Sequence, residues 1–320
     1  MKNKKAFSLI EVVFVLVILG IVASIVSKII VQVYENYIIQ KAIYKVSIKT
    51  ELVANEIVNR LTYRIEGTTI SKNHVQIKNG QPLKWLPIRD VPTGGTTFTS
   101  IEWIGYDNDS FSSHSSPNWT GVADYENASI NQFDTPGSTL ANTATIMSNL
   151  SNNQVDLSEN RPAAVIFYED NNYYTGSNKY NPICMGMIPE DANSTTDCIF
   201  PVYNDGNTTL KFTRDQDPYS NTLRPKIITE RYKLAWSAYA IAPEDPDGDG
   251  RFDLVLFSNY QPWNGDSYLD ANTTKHILME NVSVFKFSEN GGVIRFKICA
   301  TEEISPDNNI STCKEKVVIR

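Results

Sequence analysis

The sequence predicts an α+β protein in which a long N-terminal helix packs on a head built from an antiparallel β-sheet. An apolar run at residues 7–30 continues without proline into an amphipathic stretch that ends near Gly67. Beyond Gly67, short runs of β-branched and aromatic residues alternate with polar ones, as in half-buried strands. Glu289-Asn290-Gly291-Gly292 is typical of a hairpin turn, because Asn and Gly tolerate positive φ. We therefore assign residues 7–66 to the helix and 67–320 to the head.

The apolar run is long enough to cross a bilayer as a helix, which takes about 20 residues. Three lysines precede it, and Glu11 is its only charge before Lys28. A secretory signal peptide has a shorter apolar region of about 7–15 residues, and a plain membrane anchor leaves Glu11 unexplained. Chance placement of Glu11 near the lipid headgroups is a further alternative. A carboxylate in hydrocarbon costs roughly 2.5–3.5 kcal/mol on insertion scales, so such a group usually has a partner and a purpose.

Residues 4–11, KKAFSLIE, resemble the processing site of type IV prepilins and pseudopilins. The resemblance implies that a leader at residues 1–6 is cut between Ala6 and Phe7, that the new amine of Phe7 is methylated, and that Glu11 is the fifth mature residue. Two positions depart from the family pattern: Ala6 stands where Gly is usual, and Lys28 stands near the place of a common proline. Glu11 of one subunit would then pair with the amine of a neighbour, because either charge alone in an apolar surround is costly.

The second half of the helix carries an apolar stripe at residues 38, 42, 46, 53, 57 and 61, close to helical spacing. We expect this stripe to lie on the head. One helix of about 60 residues would be roughly 90 Å long, with Gly67 as its C-cap. Two helices hinged near Gly20 or Gln32 are the alternative.

The head contains ten candidate strands, and one polar region separates the early ones from the rest. The strands are predicted at residues 74–77, 97–106, 163–169, 199–203, 209–213, 228–243, 252–260, 275–287, 293–300 and 314–320. The region 107–161 is rich in Asn, Ser, Thr and Gly, which predicts long loops with one short helix at 140–150. The strands within 225–320 also resemble, more loosely, the C-terminal sheet of large minor pilins.

Four cysteines lie in the head, and none forms a Cys-x-x-Cys motif. Four cysteines allow three pairings, and an exported domain meets an oxidising compartment. The two pairs that are close in sequence, Cys184–Cys198 and Cys299–Cys313, are the favoured disulfides. Free buried thiols are the alternative.

The acidic segment 245–253 resembles the start of a calcium loop. Asp245, Asp247, Asp249 and Asp253 occupy positions 1, 3, 5 and 9 of such a loop, with Gly250 at position 6, and Arg251 would offer its carbonyl. Leu256 stands where an EF-hand has its bidentate Glu, so the match is partial. A plain acidic turn between two strands is the other interpretation of this segment.

Four segments read Asp-x-Asn-x-Ser/Thr, at 191–195, 205–209, 270–274 and 307–311. They resemble the extended acceptor sequons of some bacterial N-glycosylation systems, and surface loops are the simpler interpretation. Four aromatic residues in polar loops are candidates for a sugar or surface contact: Trp119, Tyr173, Tyr174 and Trp263. The three histidines are scattered and no phosphate loop or zinc spacing appears, so we do not expect an enzyme.

The resemblance implies a structural subunit, and the size of the head suits a large minor pilin or a J-type minor pseudopilin. Its expected partners are other pilins and minor pilins, a prepilin peptidase and an assembly platform in the bacterial inner membrane. The head would lie in the periplasm and later on a surface pilus or a periplasmic type II secretion pseudopilus. A net charge of −7 argues against nucleic acid as a partner. The alternative function is a pilin-anchored adhesin that binds its ligand through residues 107–225.

Overall fold

A computed structural model describes residues 8–80, 84–92, 95, 97–112, 116–167, 182–213, 228–245, 250–305 and 308–319. The N-terminal helix α1 (Leu9–Thr62) is one unbroken element of 54 residues. At 1.5 Å per residue it is about 80 Å long. The two-helix alternative is therefore wrong. The predicted cap is wrong as well, since α1 ends at Thr62 with Tyr63 as its C-cap, while Gly67 takes a positive φ of 78° in the turn that follows.

Fourteen strands and three further α-helices follow α1 in the described part of the chain. In order they are β1 (Ile70–Lys72), α2 (His74–Lys78), β2 (Trp85–Pro87), β3 (Ser100–Gly105), α3 (Asn108–Phe111), β4 (Asp124–Ser129), β5 (Gln132–Asp134), α4 (Leu140–Leu150), β6 (Ala163–Phe167), β7 (Phe200–Asn204), β8 (Thr209–Phe212), β9 (Tyr232–Ala235), β10 (Ser237–Glu244), β11 (Phe252–Tyr260), β12 (Thr274–Asn290), β13 (Val293–Ser305) and β14 (Asn308–Val318). Two single-turn 3₁₀ helices, Ile88–Asp90 and Pro262–Asn264, lie between strands.

The strands form two antiparallel sheets. The large sheet has eight strands in the order β14-β13-β12-β11-β10-β3-β1-β2, and the small sheet has six in the order β4-β5-β8-β7-β6-β9. The chain passes from one sheet to the other at Trp236, because β9 ends at Ala235 and β10 begins at Ser237. The fold is thus α+β, with a long helix and a head of antiparallel sheets, as predicted.

The C-terminal half of α1 packs on the face of the large sheet formed by β12, β13 and β14. Its buried residues are Val46, Thr50, Val53, Ala54, Ile57 and Leu61. Thr50 is polar and therefore was not part of the predicted apolar stripe. It can be buried because its hydroxyl donates a hydrogen bond to the Val46 carbonyl within the helix, at 2.7 Å. The predicted stripe is therefore in contact with the head from Val46 onward, while Ile38 and Ala42 are only half-buried.

The opposite face of the large sheet forms a second core with the first disulfide loop and the small sheet. Alternation along β11 shows the division: Leu254 and Leu256 face α1, whereas Val255 and Phe257 face the second core. A third core lies on the other side of the small sheet, where α4 and Trp119 cover it. The head is thus layered, with α1 outermost on one side and α4 on the other.

Three local predictions are wrong. Residues 74–77 form the helix α2 because the side chain of Asn73 accepts a hydrogen bond from the amide of Gln76 at 3.1 Å, which caps a turn. Residues 228–243 form two strands in different sheets, separated at Trp236. Residues 107–161 contain α3, β4, β5 and α4 rather than long loops, although α4 does span the predicted 140–150. The error at 107–161 arises because this part of the small sheet is built from polar, turn-rich sequence. The error at 228–243 arises because the strand signal continues across Trp236.

The C-terminal hairpins agree better with their predictions. Asn290 pairs with Val293, and Gly291 and Gly292 both take positive φ between them. This is the turn that the Asn-Gly-Gly sequence predicts. β14 lies at the edge of the large sheet, as predicted, and extends from residue 308 rather than from residue 314.

Candidate functional site

The first turn of α1 carries the candidate assembly residue. Ser8 is the N-cap, and its hydroxyl accepts from the amide of Ile10 at 3.3 Å. The carboxylate of Glu11 reaches back and accepts from the amide of Ser8 at 3.0 Å, which completes a capping box. The predicted cleavage residues Ala6 and Phe7 lie outside the described residues. Glu11 therefore has one backbone partner, at the helix end where a negative charge is favoured.

The apolar half of α1 is fully exposed along its length. Leu9 is 86% exposed and Phe14 is 68% exposed, and the most apolar 18-residue window has a mean hydropathy of 3.0 with none of it buried against the head. Residues 9–30 alone would span about 33 Å as a helix, which matches the hydrocarbon thickness of a bilayer. By length and composition, α1 is the one described helix that could cross a membrane.

Beyond this span, α1 still exposes large side chains, among them Tyr34, Tyr37, Tyr44 and Leu52. They project from the part of the helix that approaches the head. The apolar surface of α1 thus extends past the length that a membrane would cover.

A groove of about 610 Å³ runs between α1 and the strands β12 and β13. Lys45 on the helix forms an ion pair with Glu302, and Arg251 lies 3.8 Å from Glu303. Further along, Glu51 bonds with Lys316, and this hydrogen bond lowers the pKa of the Glu51 carboxyl. These exposed pairs orient the helix on the sheet and contribute little to stability.

The predicted calcium ligands lie partly at one end of this groove. Asp245, Arg251 and Asp253 are described. Asp245 is exposed directly after β10, and Asp253 faces Glu244 in the ladder between β10 and β11. Asp247 and Asp249 lie outside the described residues. Among those that the structure does describe, no group of three or more His, Cys, Asp or Glu residues could hold a metal ion. The calcium loop stays a prediction.

Both favoured disulfides are present. Cys184–Cys198 closes a loop against the second core, with a Cα–Cα distance of 5.3 Å. Cys299–Cys313 joins directly opposed residues of β13 and β14. The second disulfide therefore fixes the edge strand on which α1 lies.

Sequence reasoning missed a buried ion pair in the large sheet. The ammonium of Lys72 lies 2.8 Å from the Glu102 carboxylate, and both side chains are at most 2% exposed. The Tyr260 hydroxyl donates to the same carboxylate at 2.9 Å. Burial raises the pKa of Glu102, while the charge of Lys72 and its hydrogen bond oppose that rise. No motif marks the pair, because its members are 30 positions apart in otherwise ordinary strands.

Two of the three histidines lie in the part of the chain that the structure describes. His74 is buried, its Nδ1 lies 3.0 Å from the Tyr268 hydroxyl, and burial lowers its pKa to about 4. His276 is exposed on β12, and His114 lies outside the described residues.

The proposed aromatic contact surface is wrong at two of its four positions. Trp119 is 1% exposed and Trp263 is 6% exposed, so both are core residues. The indole of Trp119 donates to the Asp107 carbonyl at 3.0 Å and packs among Phe111, Tyr106 and Tyr232. Tyr173 and Tyr174 lie outside the described residues. Polar residues on either side of a tryptophan in the sequence do not show that its side chain is exposed, because the loops that carry these tryptophans fold back onto a core.

Comparison with known proteins gives one match, at the N-terminus. The family model for the prokaryotic N-terminal methylation motif matches residues 1–27. Neither the curated proteins nor the solved structures contain a match to the chain. The motif and the long apolar helix are both features of type IV pilin-like proteins.

The chain is a type IV pilin-like protein, with the helix and antiparallel β head that this class implies. Its motif implies processing by a prepilin peptidase and assembly with other pilins. The motif and the exposed apolar helix also support anchoring in a membrane.

Proposed function

We propose that the chain is a minor pilin-like structural subunit that assembles into, or primes, a type IV pilus or a type II secretion pseudopilus. The observation that carries this proposal is the exposed apolar half of α1, with a single carboxylate in its first turn. Such a surface is stable only in a bilayer or against other apolar helices. A subunit that is stored in the inner membrane and then joins a helical bundle uses both environments.

Glu11 gives the assembly step its register. In the membrane, its bond to the Ser8 amide offsets part of the cost of a buried carboxylate. Cleavage between Ala6 and Phe7 would create a positive amine one residue before Ser8. In a bundle, that amine on a neighbouring subunit is a stronger partner than a neutral amide, because both partners are charged. The pairing would set the stagger between adjacent helices.

The head supports a low-abundance position in the assembly. Its two sheets, three cores and two disulfides make it large and rigid. A small sheet layered on the face of the large sheet opposite α1 enlarges the head, which suits a tip or an initiating complex, where a subunit is not repeated along a shaft. The expected partners are therefore other minor pilins and the inner-membrane platform.

The adhesin alternative has less support. Residues 107–225 include the small sheet, but Trp119 is buried there rather than displayed. A cavity of about 480 Å³ next to Trp119 is lined by Phe111, Arg231 and Lys233 among others. It offers space without an exposed aromatic platform, so a ligand for the isolated head stays a hypothesis.

The proposal is tested by substituting Glu11 in the native organism and measuring the protein in sheared filaments and in membranes. We expect Glu11→Ala and Glu11→Gln to be cleaved and membrane-bound but to enter filaments at least about tenfold less, since each factor of ten corresponds to only about 1.4 kcal/mol. Val13→Ala on the same helix is the matched control and should assemble normally. Normal incorporation of both Glu11 variants would overturn the assembly role. A mature N-terminus other than methylated Phe7 would overturn the prepilin processing.

A further inference from the structure

Nine Asn-x-Ser/Thr tripeptides occur in the chain, and four of them have Asp two residues before the Asn. The four Asp-preceded sites begin at Asn193, Asn207, Asn272 and Asn309. Asp accounts for 19 of the 320 residues, so chance placement would put Asp there in fewer than one of the nine. The association of Asp with these tripeptides therefore needs an explanation.

All four Asp-preceded asparagines are exposed. Asn193 lies in a turn of the first disulfide loop, Asn207 in the turn between β7 and β8, and Asn272 in the turn before β12. Asn309 is exposed on the edge strand β14. Within the described part of the chain, the side-chain amides of Asn207 and Asn272 have no hydrogen-bond partner, so they are open to a reagent from solvent.

The other five tripeptides begin at Asn108, Asn118, Asn127, Asn149 and Asn281, and no Asp stands two residues before them. Asn118 is 3% exposed, and its amide donates to the Ser110 carbonyl at 2.8 Å. Asn108 is half-buried, and the remaining three are exposed. Exposure alone therefore does not separate the two sets, whereas the Asp does.

Turn chemistry accounts for only part of the pattern. The carboxylate of Asp191 accepts from the backbone amide of Asn193 at 2.9 Å and from its side chain at 3.1 Å, as in an Asx turn. Asp124 accepts the same two bonds from Asn127 at 3.2 and 2.9 Å, although it stands three residues before it. Since local capping tolerates both spacings, it does not require the spacing of two. An enzyme that recognises an Asp two residues before the Asn would require this spacing.

We propose that the four Asp-preceded sites are acceptors for N-linked glycans. The donor is an oligosaccharide carried on a polyprenyl diphosphate in the membrane. In the transfer, the side-chain amide nitrogen of the Asn attacks the anomeric carbon and loses a proton, which passes to solvent water. The bond from that carbon to the diphosphate oxygen breaks, and the polyprenyl diphosphate leaves with the electron pair.

The four sites are spread over the head rather than gathered at one point. Asn193 and Asn272 border the second core, Asn207 belongs to the small sheet, and Asn309 lies at the edge of the large one. The sites leave the apolar half of α1 unmodified. The inference goes beyond the proposed function, and it requires only that the head reach the side of the membrane where the donor is presented.

The test is peptide mass spectrometry of the full-length protein purified from its own membranes. We expect a glycan mass on the peptides that contain Asn193, Asn207, Asn272 and Asn309, and loss of that mass in each Asn→Gln variant. The peptide that contains Asn118 should be unmodified. The same digest gives the N-terminal peptide, so the outcome for processing is read separately.

Tyr125→Asp is the matched gain-of-site variant. It places Asp two residues before Asn127 on the strand β4, and Tyr125 is 51% exposed. We expect the wild-type peptide with Asn127 to be unmodified and the variant peptide to carry the glycan. Unmodified peptides at all four Asp-preceded sites in a protein that starts at Phe7 would overturn the glycan proposal and leave the proposed function standing. Glycan on wild-type Asn127 would overturn the role given to the Asp, and an uncut chain bearing glycans would overturn the processing alone.

Discussion

Replacing Lys72 with Met should destabilise the head strongly. The substitution keeps the volume of the side chain but removes the only cation within hydrogen-bond distance of Glu102 in the described structure. Glu102 remains 1% exposed, with the Tyr260 hydroxyl as its partner. Breaking a buried pair by removing one member costs about 3–5 kcal/mol. In a domain of this size each kcal/mol shifts Tm by about 2–4 °C, so Tm should fall by about 6–20 °C.

The stability lost in Lys72→Met should depend on pH, and the titration of Glu102 determines whether this loss is larger at low or at high pH. Burial already raises the pKa of this carboxyl above its ordinary value of 4.5, and Lys72 opposes the rise. Without Lys72 the folded-state pKa rises further, while the unfolded value stays near 4.5. A raised folded-state pKa gives stability that is present below the unfolded pKa and is lost as pH rises through the folded one. The penalty of Lys72→Met should therefore be smaller at about pH 5 than at about pH 8.

The assay is urea denaturation of the detergent-solubilised full-length protein, followed by tryptophan fluorescence. All five tryptophans lie in the head, so the signal does not depend on the membrane half of α1. Lys78→Met, at an exposed lysine of α2, is the control and should stay within about 0.5 kcal/mol of wild type. Lys72→Met/Glu102→Gln should recover at least half of the loss, because Gln keeps an acceptor for Tyr260 and carries no charge. A loss under about 1 kcal/mol, or one equal at both pH values, would refute the reasoning.

Three other substitutions test the fold by the same denaturation assay. Ile57→Ala should cost about 2–5 kcal/mol because Ile57 is 1% exposed between α1 and the sheet, whereas Leu52→Ala, at a 63% exposed site, should change little; equal losses would contradict the packing of α1. Asp107→Asn should flatten the pH dependence of stability between about pH 4 and 7, since burial raises the pKa of Asp107 to about 7 and its stabilising effect is lost as pH rises through that value. An unchanged profile would show that another group titrates there. The double variant Cys299→Ala/Cys313→Ala should lose about 2–4 kcal/mol, and wild type should lose a similar amount when reduced; no loss in either would show that the hairpin does not depend on its disulfide.

The elements that the sequence predicted best are those whose signal is local and repeated. The helix α1 follows from an uninterrupted apolar run and stripe, and the hairpin at Gly291 follows from the positive φ that its residues tolerate. The C-terminal strands alternate in composition because one face packs under α1 and the other in the second core. Each of these features can be identified within about twenty neighbouring residues.

The small sheet could not be predicted in the same way. Its strands are three to six residues long, and they bury residues such as Phe133 and Leu210 between polar turns. Nothing local tells that Trp236 separates two sheets, because the strand signal on either side of it is continuous. The Lys72–Glu102 pair likewise depends on strand pairing rather than on spacing.

At the candidate site, the sequence placed Glu11 in an apolar helix, and the structure added its bond to the Ser8 amide. The aromatic surface was mispredicted for Trp119 and Trp263, since a polar sequence context does not report which turns fold back onto a core. Both disulfides were correctly chosen, because pairs close in sequence can be brought together by a hairpin or a single loop.

The packing of α1 on β12–β14 also determines where mechanical load travels through the molecule. A pull along α1 passes into the C-terminal strands, which Cys299–Cys313 ties together covalently, and it does not cross the small sheet. The small sheet therefore does not carry force between the subunit and its anchor. Its turns, such as residues 205–208, can be exchanged or lengthened without weakening the hold of the subunit on its anchor. The turns of the small sheet are therefore where we expect the sequence to vary most between related proteins, and they are suitable sites for inserting a tag or an epitope.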